Sequence, residues 1–69
     1  MYLGWFDDNP KHTTAVKIRE ACAAYRERYG VEPSVVLMNA EDYAADQDYG
    51  VTVRVEGYIR RNNFWVGRE

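Results

Sequence analysis

The sequence predicts one α+β domain over residues 1–69, with a small mixed four-stranded sheet and one long helix packed on one face. One segment has apolar residues at the three- and four-residue spacing of an amphipathic helix. Four other segments are rich in β-branched and aromatic residues and are separated by turn residues. The chain has 69 residues, 46% hydrophobic and 29% charged, which is a globular composition for a single domain. The predicted element order is β-α-β-α-β-β.

The first predicted strand, residues 2–6, is followed by the long helix. This helix begins after Asn9 or after Thr13, since both residue types cap helix N-termini. It ends near Tyr29, because Gly30 favours the left-handed conformation that terminates helices. The predicted apolar stripe of the helix consists of Ala15, Ile18, Cys22, Tyr25 and Tyr29.

The second predicted strand, residues 34–38, contains four consecutive apolar side chains and therefore has both faces buried. Asn39 is predicted to cap a short second helix that extends through residues 43–45. A turn at residues 46–50 follows. The first strand, the long helix and the second strand fit a crossover between parallel strands, and the strand order stays open.

Residues 51–56 alternate strictly between apolar and polar side chains and predict the third strand, which residues 58–60 continue after a possible bulge at Gly57. Asn62 tolerates the positive φ of a tight turn, which predicts a hairpin to a last strand at residues 64–67. Neighbouring side chains of a strand face opposite sides of the sheet. We expect Phe64 and Val66 to face the helix and Trp65 to face away from it.

The second face of the sheet predicts self-association. One long helix covers only one face, and the strand at residues 35–38 has large aliphatic side chains on both. An uncovered apolar surface indicates an interface, and a homodimer is its simplest form. In the alternative interpretation, Tyr43 and the two tryptophans cover that face within one chain. The predicted interface residues are Trp5, Val36, Met38 and Trp65.

The charge distribution fits the same hypothesis. Residues 31–50 carry five acidic side chains and no basic one, whereas residues 51–69 carry four arginines and two glutamates. An acidic segment and a basic segment could pair between two copies or with another protein. They could equally be a solvated surface without a partner.

Nucleic-acid binding is the alternative function, through the predicted hairpin at residues 58–65. Arg60 and Arg61 lie close to Trp65 in the sequence, and arginines beside aromatic rings can hold phosphates and stack on bases. Two adjacent arginines in a chain of net charge −2 are a narrow basic surface. We therefore favour self-association.

Residues for catalysis or metal binding are sparse. His12 is the single histidine, and Asp7 and Asp8 near it could supply an acid–base pair or part of a metal site. An exposed residue at the start of the helix is the simpler interpretation. Cys22 lies in the apolar stripe, about 15 Å along the helix from His12. We predict no enzymatic activity, no metal and no cofactor.

The sequence predicts a cytoplasmic protein without membrane association. Residues 1–6 lack the basic lead and the long apolar stretch of a signal peptide. The longest aliphatic run, residues 35–38, is far too short to span a membrane. The single cysteine excludes an intramolecular disulfide.

Overall fold

The computed structural model describes residues 1–45 and 47–69. The elements are β1 (Tyr2–Phe6), α1 (Thr14–Tyr29), β2 (Val35–Met38), a 3-10 turn (Ala40–Asp42), β3 (Thr52–Val55) and β4 (Asn63–Gly67). They form one mixed four-stranded sheet with α1 packed on one face, which confirms the predicted α+β class. The predicted turn at residues 46–50 includes Asp46, which lies outside the described residues.

The sheet has the strand order β1-β4-β2-β3. β4 is antiparallel to both β1 and β2, and β3 is parallel to β2. The strands β1 and β2 therefore run in the same direction, as predicted, but β4 lies between them. The predicted hairpin is wrong, because β4 pairs with β1 and β2 instead of β3. The central position gives β4 a hydrogen-bonded neighbour on each side and buries Phe64 and Val66 completely.

The third strand is shorter than predicted. β3 ends at Val55, and residues 56–62 form a connection that crosses the end of β2. The Glu56 N–H donates to the Met38 carbonyl at 3.1 Å, and the Asn39 amide donates to the Ile59 carbonyl at 2.8 Å. These bonds attach the connection to β2. Residues 58–65 are therefore this connection and the start of β4, not a protruding hairpin.

The ends of α1 follow from its capping residues. The Thr13 hydroxyl accepts the Val16 N–H at 3.2 Å. At the other end, Gly30 has φ 71° and its N–H donates to the Arg26 carbonyl at 2.8 Å. Asn9 instead holds a preceding turn, in which its side chain accepts the Lys11 N–H at 2.9 Å.

Within the described part of the chain, no helix is long and apolar enough to cross a membrane.

The predicted second helix is only the 3-10 turn Ala40–Asp42. Tyr43 has an extended backbone, with φ −86° and ψ 133°. The Ala44 N–H donates to the Tyr49 hydroxyl at 3.1 Å instead of continuing a helical pattern. A tertiary contact from the following loop therefore ends the turn.

The main core lies between α1 and the sheet. It contains Ile18, Ala21, Cys22, Tyr25, Val36, Met38, Phe64 and Val66. The predicted interface positions Val36 and Met38 are corrected here, because both are fully buried within the single chain. Val36 lies opposite Val66 and Met38 lies opposite Phe64, and residues directly opposite in a sheet share a face. Both side chains are therefore under the helix.

Trp5 also lies on the helix side, which corrects its predicted position at the interface. It is directly opposite Phe64 in the pairing of β1 with β4, and it packs against the main core. Its indole N–H is buried without a hydrogen-bond partner among the described residues. Trp5 therefore belongs to the core and cannot be the companion of Trp65.

Candidate functional site

The side of the sheet away from α1 carries an exposed aromatic surface. Tyr2, Phe6, Tyr58 and Trp65 form this surface, which we call the aromatic face, with exposed fractions of 37%, 61%, 66% and 42%. Strand alternation places the first two and Trp65 on this side, opposite to Phe64. Tyr58 comes from the connection, and its ring meets the Trp65 ring edge-on at a centroid distance of 6.2 Å. The predicted outward position of Trp65 is confirmed.

Glycines opposite the aromatic residues shape this surface. Trp65 lies directly opposite Gly4 of β1, which has no side chain to cover the indole. Tyr2 lies opposite Gly67 of β4, and its ring occupies the space above that glycine. A Cβ atom on Gly67 would lie 2.5 Å from the nearest atom of the Tyr2 ring and 2.8 Å from the Met1 carbonyl oxygen. The sequence therefore leaves room for the two rings.

A small second core lies beneath the aromatic face. Val35 and Leu37 of β2 and Ile59 of the connection are all buried there. Ile59 thus supplies the intrachain cover that the alternative interpretation assigned to Tyr43 and the tryptophans. Tyr43 is instead exposed and packs near Tyr49 at a ring-centroid distance of 6.3 Å. The aliphatic side chains of β2 are covered, and the aromatic rings are the exposed apolar groups.

Charged side chains border the aromatic face at the end where β1 begins. The Tyr2 hydroxyl donates to Glu69 at 3.3 Å, and the same carboxylate pairs with the Arg54 guanidinium at 2.6 Å. Desolvation and the Glu69 carboxylate raise the pKa of Tyr2, so its hydroxyl stays protonated as a donor. Aromatic residues with a polar border are typical of protein interfaces.

The structure separates the two arginines of the nucleic-acid hypothesis. Arg61 pairs with Asp42 at 3.2 Å and with Glu41 at 3.4 Å, so acidic groups of the 3-10 turn neutralise its charge. Arg60 is exposed and lines an open groove of about 220 Å³ together with Trp65 and other residues of the face. Two of the three predicted nucleic-acid residues therefore lie at one site, and Arg61 does not.

Sequence reasoning missed Tyr2, Phe6 and Tyr58. The alternation Tyr2-Gly4-Phe6 was a visible signal, because it places both rings on one side of β1. Which side that is depends on the register with β4, which local sequence does not specify. The predicted third strand includes Tyr58, so the local sequence does not indicate its position in the connection.

A separate polar cluster joins the end of β1 to α1. The Asp7 Oδ2 atom lies 2.7 Å from His12 Nδ1, and Glu20 approaches the same position from the helix. The hydrogen bond with Asp7 raises the pKa of His12, and the same bond lowers the pKa of Asp7. The sequence favours an exposed residue at the start of the helix, whereas His12 is half-buried and paired with Asp7, as in the alternative interpretation of an acid–base pair.

Cys22 belongs to a different region of the surface from this cluster. It lies at the wall of a groove of about 350 Å³ between α1 and residues 48–51, and His12 does not line that groove. Desolvation raises the pKa of the Cys22 thiol, which keeps it protonated and weakly nucleophilic. Cys22 and His12 therefore do not form a nucleophile–base pair.

The aromatic face offers an apolar contact surface, and the Asp7–His12–Glu20 cluster offers one imidazole and two carboxylates. A comparison of the chain with known protein families, curated proteins and solved structures found no match.

Proposed function

We propose that this chain is a small protein-interaction module that self-associates through the aromatic face, most simply as a homodimer. The observation that carries the proposal is the exposure of four large aromatic rings on the sheet side that α1 leaves open. Exposed apolar surfaces bordered by polar groups usually mark contact sites. Tryptophan and tyrosine are the residues that most often dominate binding energy at such sites.

Trp65 is the central anchor in this proposal. It lies on β4, between β1 and β2, with Tyr2 and Phe6 at diagonal positions on β1 and the Tyr58 ring in edge-on contact with it. Its neighbour on β2 is Leu37, but its neighbour on β1 is Gly4, which leaves that side of the indole open to a partner ring. A partner that covers this indole removes apolar surface from water, and this favours binding.

A second copy is the simplest partner for this surface. A stable interface buries about 800 Å² on each partner. The whole chain exposes 4514 Å², so the contact would occupy a modest part of the surface. A sheet face can meet its own copy about a two-fold axis, in which each Trp65 packs against the partner's aromatic residues.

Light scattering after size exclusion tests the proposal. We expect the mass to rise from 8.1 kDa at low concentration to about twice that value at high micromolar concentration. The transition should persist in high salt, because apolar contacts are not screened by ions. A mass of 8.1 kDa at every concentration would contradict self-association.

Binding of single-stranded nucleic acid is the second candidate at the same face. The groove that Arg60 lines with Tyr58 and Trp65 places one cation beside two rings, which suits a phosphate and a stacked base. We expect Arg60→Gln to weaken oligonucleotide binding more than Arg28→Gln, which removes the same charge from α1. No binding at tens of micromolar protein in low salt would remove this candidate.

The proposal includes a cytoplasmic location and no catalytic activity. The single cysteine, Cys22, is buried and unpaired, which suits a reducing compartment. A catalytic site needs convergent groups with suitable protonation states in a cleft. The Asp7–His12 pair does not line the groove beside α1.

A further inference from the structure

The Asp7–His12–Glu20 cluster brings together three side chains from separate segments. Asp7 follows β1, His12 lies in the turn before α1, and Glu20 lies in the second turn of α1. One ligand atom from each of the three residues lies within 4.8 Å of the others. The ligand atoms of a tetrahedral zinc ion with bonds of about 2.0–2.2 Å lie about 3.3–3.6 Å apart, so rotation of these side chains must bring the three atoms to that spacing.

The surrounding structure holds two of these side chains in place. The Asp7 N–H donates to the Asn62 carbonyl at 3.0 Å, which fixes the end of β1 against the start of β4. One carboxylate oxygen of Asp7 accepts the Asn9 N–H at 2.9 Å, and the other oxygen faces His12. The backbone N–H of His12 donates to the Asn9 carbonyl at 3.0 Å. The polar cluster is therefore built on ordered backbone.

We propose that Asp7, His12 and Glu20 bind a divalent transition-metal ion, with zinc as the best fit. Imidazole nitrogen and carboxylate oxygen are both good zinc ligands, and three protein ligands leave a fourth tetrahedral position for water. Calcium and magnesium favour sites of oxygen atoms alone, so the histidine selects against them. The sequence predicts no metal here because a single histidine, without a second histidine or a cysteine, gives poor ligand spacing.

Charge supports zinc and also limits its affinity. The two carboxylates balance the charge of a divalent ion. The Lys17 ammonium is near both Asp7 and His12, and it donates to the Asn62 side chain at 3.0 Å. This positive charge opposes a cation, so we expect Lys17→Met to tighten zinc binding.

Calorimetric titration of the tag-free protein with zinc chloride near neutral pH tests the proposal. We expect one zinc ion per chain and an unfolding temperature that rises with zinc concentration. His12→Gln and Glu20→Gln should each weaken the affinity at least tenfold. Asp8→Asn is the matched control, because it removes one neighbouring exposed charge from outside the ligand set.

Cobalt(II) provides a readout that does not depend on stability. A site with one nitrogen and two oxygen ligands and one water should give visible absorption bands typical of four-coordinate cobalt, and Glu20→Gln should remove them. Zinc should displace the cobalt and abolish the bands. Absence of saturable zinc binding up to millimolar concentration would overturn the proposal. An equal loss of affinity in Asp8→Asn would also overturn it, since general negative charge would then explain the binding.

Discussion

The ion pair between Asp7 and His12 makes the stability of the chain depend on pH. Its hydrogen bond raises the pKa of His12 and lowers the pKa of Asp7. The contribution of His12 to the free energy of unfolding is complete below the ordinary histidine pKa and is lost as pH rises through the raised pKa. The Asp7 contribution is complete above the ordinary aspartate pKa and is lost as pH falls through the lowered value. Both act fully between about pH 4 and about pH 6.5.

We therefore expect His12→Gln to lower the unfolding temperature more at about pH 5.5 than at about pH 9. Glu20 faces His12 and favours its charged form, whereas Lys17 opposes it. Thermal unfolding followed by circular dichroism, with a chelator present, measures the difference. A decrease that is the same at both pH values would show that the pair contributes no pH-dependent stability.

Gly67 and Gly4 are predicted to respond differently to an added methyl group. A Cβ on Gly67 would meet the Met1 carbonyl oxygen at 2.8 Å, so Gly67→Ala must displace β1. Gly4 has nothing within 4 Å of the same position, and alanine suits a strand better than glycine. We expect Gly67→Ala to lower the free energy of unfolding by about 1–3 kcal/mol and Gly4→Ala to leave it unchanged or raise it. Urea denaturation compares them, and equal effects would contradict the close approach of Tyr2 to Gly67.

At the scale of the elements, the connection between β3 and β4 depends on one buried carboxylate. Asp42 accepts the Asn62 N–H at 2.8 Å and the Arg61 Nε–H at 3.2 Å, and its side chain is only 3% exposed. Asn62 has φ 65°, a conformation that asparagine tolerates better than most residues. The Asp42 carboxylate therefore fixes the backbone just before β4 begins.

Removal of this carboxylate should loosen the connection. Asp42→Ala leaves the Asn62 N–H without its acceptor, and we expect a loss of about 1–3 kcal/mol in the free energy of unfolding. Glu41→Ala is the control, because its carboxylate also pairs with Arg61 but is well exposed. Exposed ion pairs contribute little, so the control should unfold almost like the wild type. A larger effect in the control would contradict the assigned role of Asp42.

The elements differ in how far the sequence alone could predict them. The helix ends depend on local signals, and Thr13 and Gly30 act as two of the predicted caps. The positive φ of Asn62 was also predicted, but the pairing of the strand that follows depends on contacts distant in sequence. The opposite orientations of Phe64 and Trp65 were predicted correctly, because the alternation of side chains along a strand is a local property. The side of Trp5 could not be predicted, because it depends on the β1–β4 register.

At the scale of the whole molecule, the two faces of the sheet are covered by different elements and to different extents. Among residues 1–45 and 47–69, the long helix covers one face, and the connection with Ile59 covers part of the other. The two tryptophans divide between these environments, with Trp5 packed against the main core and Trp65 on the aromatic face. Substitutions of the two residues should therefore have different consequences. A change at Trp5 affects folding, and a change at Trp65 affects contacts with a partner.

Trp65→Ala is the substitution that separates the interface from the core. We expect it to shift the assembly toward monomer, because truncation of a central aromatic anchor costs about 2 kcal/mol or more of binding energy. The helical circular-dichroism signal should survive, since Phe64 and Val66 on the same strand fill the core without Trp65. Light scattering and circular dichroism on the same sample measure both effects.

Tyr43→Ala is the matched control for that substitution. Tyr43 is exposed to the same extent as Trp65, at 42%, but it lies beyond the 3-10 turn next to Tyr49. Its truncation removes a similar amount of exposed aromatic surface from outside the aromatic face, so the dimer should persist. If Tyr43→Ala dissociates the dimer and Trp65→Ala does not, the contact surface lies elsewhere. If Trp65→Ala unfolds the chain at low temperature, the indole stabilises the single chain, and its exposed position no longer supports self-association.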